Sequence, residues 1–222
     1  QLRQAAYANL NVKLIATHPG MDDGPDGASH HANEDIALVR TIPNLKVLIP
    51  SNIKELRQAI KIAIETDGPV YIRAARDVVP NVDLEQNAEL GKSIIVDDQG
   101  NDFALIYEGT ATAVAYKAYD ALKEKGYKGK LINIFSVKPM DVDLINNLAS
   151  TVKGIVTLEN HSILGGLGGA IAEILAQRPN HAKLAYVGVP DVFTESGKSA
   201  DVKAKYGLNV DNVVSKVEEV LS

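Results

Sequence analysis

The chain has 222 residues, which is enough for one large α/β domain or two small ones. Apolar residues make up 45% and charged residues 23%, which excludes disordered and fibrous classes. A net charge of −5 argues against nucleic acid as a partner, and the absence of cysteine excludes disulfides, thiol nucleophiles and thiolate zinc sites. No apolar run approaches membrane-spanning length and the start lacks a signal-peptide core, so we expect a cytoplasmic enzyme or enzyme subunit that does not engage membranes.

Strand and helix patterns alternate along the whole chain. The predicted strands are 12–17, 46–49, 70–73, 93–96, 103–107, 130–134, 154–158 and 184–187. The predicted helices are 1–10, 34–40, 110–125, 141–149, 167–176 and 211–221. A further helix is predicted to be capped by Ser51 or Asn52 and to end at 67–69. This alternation is typical of mostly parallel, doubly wound sheets, so the fold class is predicted to be α/β.

Two of these helices have apolar residues that suit a buried face, and in the second helix these residues fall at helical spacing, which predicts one buried stripe. The residues are Ile36, Leu38 and Val39 in the first, and Ile53, Leu56, Ile60 and Ile64 in the second.

The polar stretch 77–92 contains proline, asparagine and several acids, and it is the best candidate for a linker. We place a first domain at 1–84, a linker at 85–92 and a second domain at 93–222. The second half has the elements of a complete small α/β domain. The first half, with three strands and about three helices, resembles the back half of a larger one.

The loop 18–31 holds the densest cluster of chemically active side chains. It follows a predicted strand, where ligands bind in open α/β sheets, and it contains His18, His30, His31 and Asp26. Imidazoles can move protons near neutral pH, and Asp26 could orient a histidine or accept a hydrogen bond from a substrate hydroxyl. The loop is therefore a candidate active site, with a solvated turn as the alternative. A metal site is disfavoured, because no metal-ligand spacing is present.

Two further segments have the residue types of a binding site. Arg73 and Arg76 end a predicted strand, where a guanidinium can bind phosphate or carboxylate; a structural ion pair is an equal alternative. The segment 159–170 forms a strand, a glycine-rich turn and a helix. It lacks a strict G-x-G-x-x-G, so we expect its glycines to allow close packing rather than to bind phosphate. Glu159 and His161 in it are candidates for polar groups at an interface.

These motifs, in this order, resemble the transketolase family. In the first half the resemblance is carried by 16–18 (ATH), 24–30 (GPDGASH), 34–38 (EDIAL), 40–50, 68–73 and Arg76. In the second half it is carried by 137–141 (VKPMD), 159–162 (ENHS) and 165–168 (GGLG). The resemblance covers essentially the whole chain and is closest to the small second subunit of split transketolases.

The resemblance implies an incomplete thiamin-diphosphate-type pyrimidine domain followed by a Rossmann-like, mostly parallel transketolase C-terminal domain. The implied activity is transfer of a two-carbon ketol unit between sugar phosphates, with thiamin diphosphate and Mg²⁺. By position, His18 and His30 match histidines that contact the substrate and the covalent intermediate, so both are expected to be catalytic and substrate-binding, with His30 also near the cofactor. Asp26 matches the carboxylate that binds the donor's C2 hydroxyl, and Arg76 the guanidinium that binds the sugar phosphate.

Much of the family's cofactor site is expected outside this sequence. The glutamate that activates the aminopyrimidine, and the aromatic residues that stack on it, lie upstream of the first strand in the family. Nothing in this chain resembles the diphosphate- and metal-binding domain. Both are therefore expected on a missing segment or a partner chain, in a homo- or hetero-oligomer. His31 stands where many transketolases have glutamine.

Two other functions stay open at this point. One is a non-catalytic α/β interaction or regulatory module that keeps the family's surface. The other is a related thiamin-diphosphate enzyme such as deoxyxylulose-phosphate synthase. Retention of His18, Asp26, His30 and Arg76 favours a catalytic subunit, because a module freed from catalysis does not need all four.

Overall fold

The computed structural model describes residues 1–82 and 86–222 and arranges them in two mostly parallel sheets with helices between and around them, which confirms the α/β fold. The strands are β1 (Lys13–Thr17), β2 (Lys46–Leu48), β3 (Val70–Ala74), β4 (Ile94–Asp98), β5 (Phe103–Tyr107), β6 (Lys130–Asn133), β7 (Ser136–Lys138), β8 (Gly154–Ser162) and β9 (Lys183–Val189). The helices are α1 (Leu2–Tyr7), α2 (Asp35–Arg40), α3 (Ile53–Glu65), α4 (Thr112–Glu124), α5 (Val142–Thr151), α6 (Leu167–Leu175), α7 (Ser199–Lys205) and α8 (Val210–Leu221). Each helix in the described ranges is too short or too polar to cross a bilayer.

The first sheet has the strand order β1-β3-β2-β7. Strands β1, β3 and β2 are parallel, and β7 pairs antiparallel with β2. The sequence pattern did not predict β7, which is only three residues long and comes from the second half of the chain. The first sheet therefore depends on both halves of the chain.

The second sheet has the strand order β4-β6-β5-β8-β9, and only β4 runs antiparallel to its neighbour. From β5 the chain moves through α4 to β6 on one side, and it later reaches β8 on the other side. The strand order thus reverses between β5 and β8, and such a switch point leaves a crevice at the carboxyl ends of the two strands.

The hydrophobic core lies on both faces of β5, whose five residues are all buried. Because side chains alternate along a strand, Leu105 and Tyr107 pack in the cluster that includes α4 and α8, while Ala104 and Ile106 pack in the cluster that includes α5 and α6. The second cluster continues to Val47 and other residues of the first sheet. One continuous apolar core therefore joins the two sheets.

The predicted buried stripe of α3 is wrong. Three of its four residues are exposed, and Ile64 retains 71% of its accessible surface. The exposed residues are Ile53, Ile60 and Ile64, whereas the buried residues of α3 are Glu55, Ala59 and Ala63. The two alanines and the partly buried Leu56 face the sheet, so the three isoleucines point away from it.

The burial of Glu55 has a specific cause. Its carboxylate accepts hydrogen bonds from the backbone N–H and hydroxyl of Ser51, at 2.9 and 2.8 Å, and from the Asn133 amide at 2.8 Å. Asn52, rather than Ser51, caps the helix by accepting the Glu55 N–H at 2.9 Å. A charged residue therefore fixes the start of α3 to the end of β6.

The prediction for α2 is correct in part. Ile36 and Val39 are buried, but Leu38 is 66% exposed because it lies on the opposite side of this short helix.

Close packing of the glycine-rich segment is confirmed at Gly168. A Cβ added there would lie 2.3 Å from Cδ1 of Tyr186 on β9 and 2.8 Å from the Thr157 hydroxyl on β8. The neighbouring Gly169 faces away from the sheet, and its nearest contact would be Arg40 at 3.6 Å. Gly168 is therefore the position where α6 requires the absence of a side chain.

We expect Gly168→Ala to lower the free energy of unfolding by roughly 1–3 kcal/mol, because the added methyl forces α6 away from the sheet. Gly169→Ala is the matched control, since it changes the same helix by the same atoms in open space and should be neutral or stabilising by up to about 1 kcal/mol. Chemical denaturation of both variants measures the difference. Equal effects at the two positions would contradict the packing argument.

Candidate active site at the junction of the two sheets

Two of the predicted site residues lie at one edge of the first sheet. His18 directly follows β1, and Arg76 lies two residues beyond β3. The two strands are parallel neighbours with Thr17 opposite Ala74, so the segments that follow them leave the sheet side by side. The structure therefore brings the 18–31 loop and Arg76 to the same edge, where ligands bind in open α/β sheets.

The side chains at this edge face solvent. Asp26 and His30 are exposed and His18 is half-buried. Nδ1 of His18 lies 2.7 Å from the Thr17 hydroxyl, and Nδ1 of His30 lies 3.0 Å from the Ser29 hydroxyl. Within the described residues, Nε2 of each ring has no hydrogen-bond partner. Each ring is thus oriented through one nitrogen and keeps the other available for proton exchange.

Asp22 connects the 18–31 loop to the backbone of Arg76. Its side chain is fully buried, and Oδ2 accepts hydrogen bonds from the backbone N–H groups of Arg76 and Asp77, at 3.2 and 3.3 Å. Oδ1 accepts a hydrogen bond from Nζ of Lys203 on α7 at 2.7 Å. Lys203 lies far along the chain in a polar segment, and no sequence pattern marked it as part of this site.

Arg73 and Arg76 differ in their surroundings. The Arg76 side chain is 42% exposed, and its guanidinium nitrogens lie 3.8 Å from the Asp23 carboxylate and 3.9 Å from the Asp77 carboxylate. Such loose, exposed ion pairs leave the guanidinium available to an anion. Arg73 is fully buried and ion-paired, so of the two alternatives it takes the structural one.

His31 also differs from the other histidines of the loop. It is buried, its Nε2 lies 3.1 Å from the Asp23 carbonyl, and its Nδ1 bonds to the Thr194 hydroxyl. Both ring nitrogens are therefore engaged within the protein. His31 attaches the loop to the segment after β9, whereas His18 and His30 each keep one ring nitrogen unbonded within the described residues.

A buried charged cluster lies beneath the site, where the two sheets meet. Nε of Arg73 donates to the Asp35 carboxylate at 2.9 and 3.1 Å, and Nη1 lies 3.3 and 3.4 Å from the Glu108 oxygens. Nη2 donates to the carbonyl of Asn160 at 2.9 Å and to that of Ala32 at 3.3 Å. Burial alone would raise the pKa of Asp35, but the Arg73 charge and the hydrogen bonds from Arg73 and Tyr71 together outweigh it and lower that pKa.

Glu159 and His161, the candidates for polar groups at an interface, belong to this buried region where the two sheets meet and not to the molecular surface. Glu159 is fully buried and accepts the Leu167 and Gly168 N–H groups, at 2.6 and 2.9 Å. The amino end of α6 is therefore occupied by the protein's own carboxyl group. This arrangement agrees with the expectation that the glycine-rich turn does not bind phosphate.

Burial shifts the pKa values of both groups toward the neutral form. It raises the pKa of Glu159 to about 8, although two backbone N–H groups favour the carboxylate. Burial, and next the Arg73 charge, lowers the pKa of His161 to about 4. The neutral ring donates from Nδ1 to the Ser162 carbonyl at 2.7 Å, while Nε2 accepts the Ala37 N–H at 3.3 Å.

The described residues supply only part of a cofactor site. Within residues 1–82 and 86–222, no group of three His, Asp or Glu side chains is placed to hold a metal ion. What this chain does offer is the free Nε2 atoms of His18 and His30 at an exposed edge, which fit contacts to a substrate or to the organic part of a bound cofactor.

We expect Glu159→Gln to flatten the pH dependence of stability between about pH 6.5 and 8. A carboxyl group whose pKa is raised in the folded state stabilises the fold at low pH, and that contribution is lost as pH rises through about 8. The lowered pKa of His161 acts in the opposite sense, but its contribution is complete above about 6.5, the ordinary histidine value. Glutamine cannot titrate, so the decline due to residue 159 should disappear.

Denaturant unfolding at several pH values measures this slope. The variant will be less stable at every pH because an amide nitrogen cannot accept a backbone N–H, so the slope and not the baseline is diagnostic. Glu124→Gln, at an exposed position on α4, is the control and should keep the wild-type slope. A wild-type slope in Glu159→Gln would contradict protonation of this group near neutral pH.

Comparison with known proteins agrees with this geometry. Residues 1–81 match the family model "Transketolase, pyrimidine binding domain", and residues 91–213 match "Transketolase, C-terminal domain". A protein of Methanocaldococcus jannaschii named as a transketolase C-terminal section is 38% identical over 217 residues, covering 96% of this chain and 67% of that protein. One subunit of the apulose-4-phosphate transketolase of Phocaeicola vulgatus is 34% identical over 210 residues, covering 94% of this chain and 66% of that subunit.

A solved structure shows the same arrangement. It is described as a split gene transketolase in an inactive beta4 tetramer, and it superimposes with a TM-score of 0.89 at 38% identity, covering 97% of this chain and 69% of that one. The chain thus spans about two thirds of the length of these relatives. Two family matches in the expected order, together with this structural likeness, show that the chain belongs to the transketolase family.

Proposed function

We propose that this chain is the C-terminal subunit or section of a transketolase, which transfers a two-carbon ketol unit between sugar phosphates when paired with a partner chain. The observation that carries the proposal is that β1 and β3 end side by side, with the loop that contains His18, Asp26 and His30 after one strand and Arg76 after the other. These four side chains are exposed or half-buried. The relatives support it, because they are transketolase sections or subunits by name.

Each exposed residue has a role that suits its chemistry. Nε2 of His18 and of His30 can accept or donate a proton at the hydroxyls of donor and acceptor sugars, so we assign both to catalysis and substrate binding. Asp26 accepts a hydrogen bond from the donor's C2 hydroxyl. Arg76 binds the sugar phosphate, since a half-exposed guanidinium can form charge-assisted bonds with it.

The cofactors of this reaction would be thiamin diphosphate and Mg²⁺. Thiamin diphosphate, when bound, supplies the carbanion chemistry, and the protein supplies orientation and electrostatics. Because residues 1–82 and 86–222 contain no metal-binding cluster, we assign the diphosphate and the metal mainly to the partner chain or to a segment outside this sequence. From this chain, His30 is the residue that we place nearest the cofactor.

The assembly follows from the same proposal. An active site shared between chains requires a homo- or hetero-oligomer, and a cytoplasmic location fits sugar-phosphate substrates.

We keep the domain division at 1–84, 85–92 and 93–222 as part of the proposal. Its boundary between 84 and 85 lies outside the described residues. The second sheet consists only of strands that follow the 77–92 stretch, which supports this division, while β7 of the second half joins the first sheet.

The decisive experiment is an activity assay with the full-length protein. It is mixed with a candidate partner chain that carries a diphosphate-binding domain, together with thiamin diphosphate, Mg²⁺ and a pair of pentose phosphates. We expect two-carbon transfer only when both chains are present. A stable complex without any activity would favour the non-catalytic module. Deoxyxylulose-phosphate synthase activity instead of two-carbon transfer would favour the related thiamin-diphosphate enzyme.

We expect Arg76→Ala to weaken transition-state binding of phosphorylated substrates by about 2 kcal/mol, the scale of a lost charge-assisted bond. Unphosphorylated substrates should be nearly unaffected. The measurement is kcat/KM for matched phosphorylated and unphosphorylated donors. Arg3→Ala, an exposed arginine of α1 at the opposite edge of the first sheet, is the control for loss of charge. An equal loss for both kinds of donor would contradict the phosphate role.

A further inference from the structure

The switch-point crevice of the second sheet is filled by the first half of the chain. The segment 19–23 enters it directly after His18, and its backbone is fixed by a bond from the Gly20 N–H to the Ala32 carbonyl at 2.9 Å. Met21 is completely buried and belongs to the apolar cluster that includes α4 and α8 of the second sheet. A site that takes ligands in other open sheets therefore holds a peptide segment of this chain.

Asn160, near the carboxyl end of β8, makes three polar contacts to this segment. Its Oδ1 accepts the Met21 N–H at 3.0 Å. Its Nδ2 lies within hydrogen-bonding distance of the Pro19 carbonyl at 3.2 Å and of the Asp22 carboxylate at 3.0 Å. The same nitrogen lies 2.8 Å from the Thr110 hydroxyl, on the β5 side of the crevice. The amide thus bridges both walls of the crevice and the inserted segment.

The fit between the segment and Asn160 is close. Gly20 has a positive φ of 56°, and a Cβ added there would lie 2.1 Å from the Asn160 carbonyl oxygen. Any larger residue at this position would collide with β8 and would adopt an unfavourable backbone conformation. The segment therefore has one depth of insertion, which fixes where the chain emerges on either side of it.

The two ends of this inserted segment determine the positions of the exposed site residues. His18 immediately precedes Pro19, and Asp22 holds the backbone of Arg76 through its Oδ2 atom. Asp22 in turn contacts both Asn160 and Lys203, two side chains of the second half of the chain. A displacement of the segment in the crevice would consequently move His18 and Arg76 together.

We propose that the switch-point crevice of the second sheet binds the segment 19–23 as an internal ligand, with Asn160 as the positioning residue for His18 and Arg76. The catalytic part of this statement rests on the proposed function. It assigns the second sheet a task in the reaction, which is the placement of His18 and Arg76. It also means that this crevice is unavailable to a nucleotide.

The test uses Asn160→Ala in the full-length protein, assembled with its partner chain. Alanine keeps the backbone bonds of residue 160 to Glu108 and Arg73, so only the side-chain contacts to the segment and to Thr110 are lost. We expect faster amide hydrogen exchange in the segment, above all at the Met21 N–H. We also expect kcat/KM to fall on the order of tenfold to a hundredfold, the effect of a small misplacement of reacting groups.

Two further variants separate positioning from stability. Met21→Ala removes the side chain that fills the crevice and should give the same combination of faster exchange and lower kcat/KM. Val213→Ala removes a fully buried side chain of α8 from the same cluster but does not alter the inserted segment. It should lower the melting temperature, while kcat/KM and exchange in the segment stay at wild-type values below that temperature.

Unchanged exchange at Met21 in Asn160→Ala would overturn the proposal, and so would an equal loss of kcat/KM in Val213→Ala. If the wild-type assembly shows no two-carbon transfer, the proposed function fails. The exchange measurement still decides in that case whether Asn160 holds the segment, because it requires no activity.

Discussion

The packing of the two sheets against each other depends on the fully buried guanidinium of Arg73. Each of its three nitrogens has an acceptor. Nε bonds to Asp35 on the side of the first sheet, and Nη1 and Nη2 bond to Glu108 and to the Asn160 carbonyl on the side of the second. A buried charge of this kind contributes little net stability when it is paired, but loss of one partner leaves an uncompensated charge and is strongly destabilising. The two sheets are therefore held at one relative position rather than merely in apolar contact.

This arrangement also determines the charge state of the groups around it. One arginine cannot balance three buried carboxylates, and burial raises the pKa of both Glu108 and Glu159, while the pKa of Asp35 is lowered by its contact with Arg73. Burial lowers the pKa of His161, and the neighbouring Arg73 charge lowers it further, so His161 stays neutral. The buried acids and bases under the site consequently serve as hydrogen-bonding groups that hold the fold together.

The regular elements could be predicted from the sequence because they follow local patterns. The central strand 103–107 was predicted residue for residue, since a strand buried on both faces is a continuous apolar run. The buried face of α3 was predicted wrongly. Its isoleucines have the spacing of a core face, but two alanines and Glu55 lie against the sheet instead. Strand β7 and the contacts of Asn160 and Lys203 depend on pairings more than 80 residues apart, which no local pattern encodes.

Residue type alone could not distinguish structural side chains from candidate site side chains, and two pairs of residues show why. His30 and His31 are adjacent, yet only His31 has both ring nitrogens bonded within the protein. Arg73 and Arg76 are three residues apart, yet only Arg73 is buried with all its nitrogens paired. A side chain whose hydrogen-bonding capacity is already used cannot bind a substrate without breaking the fold. The residues that can act are therefore those that the buried network holds in place while leaving their polar atoms free.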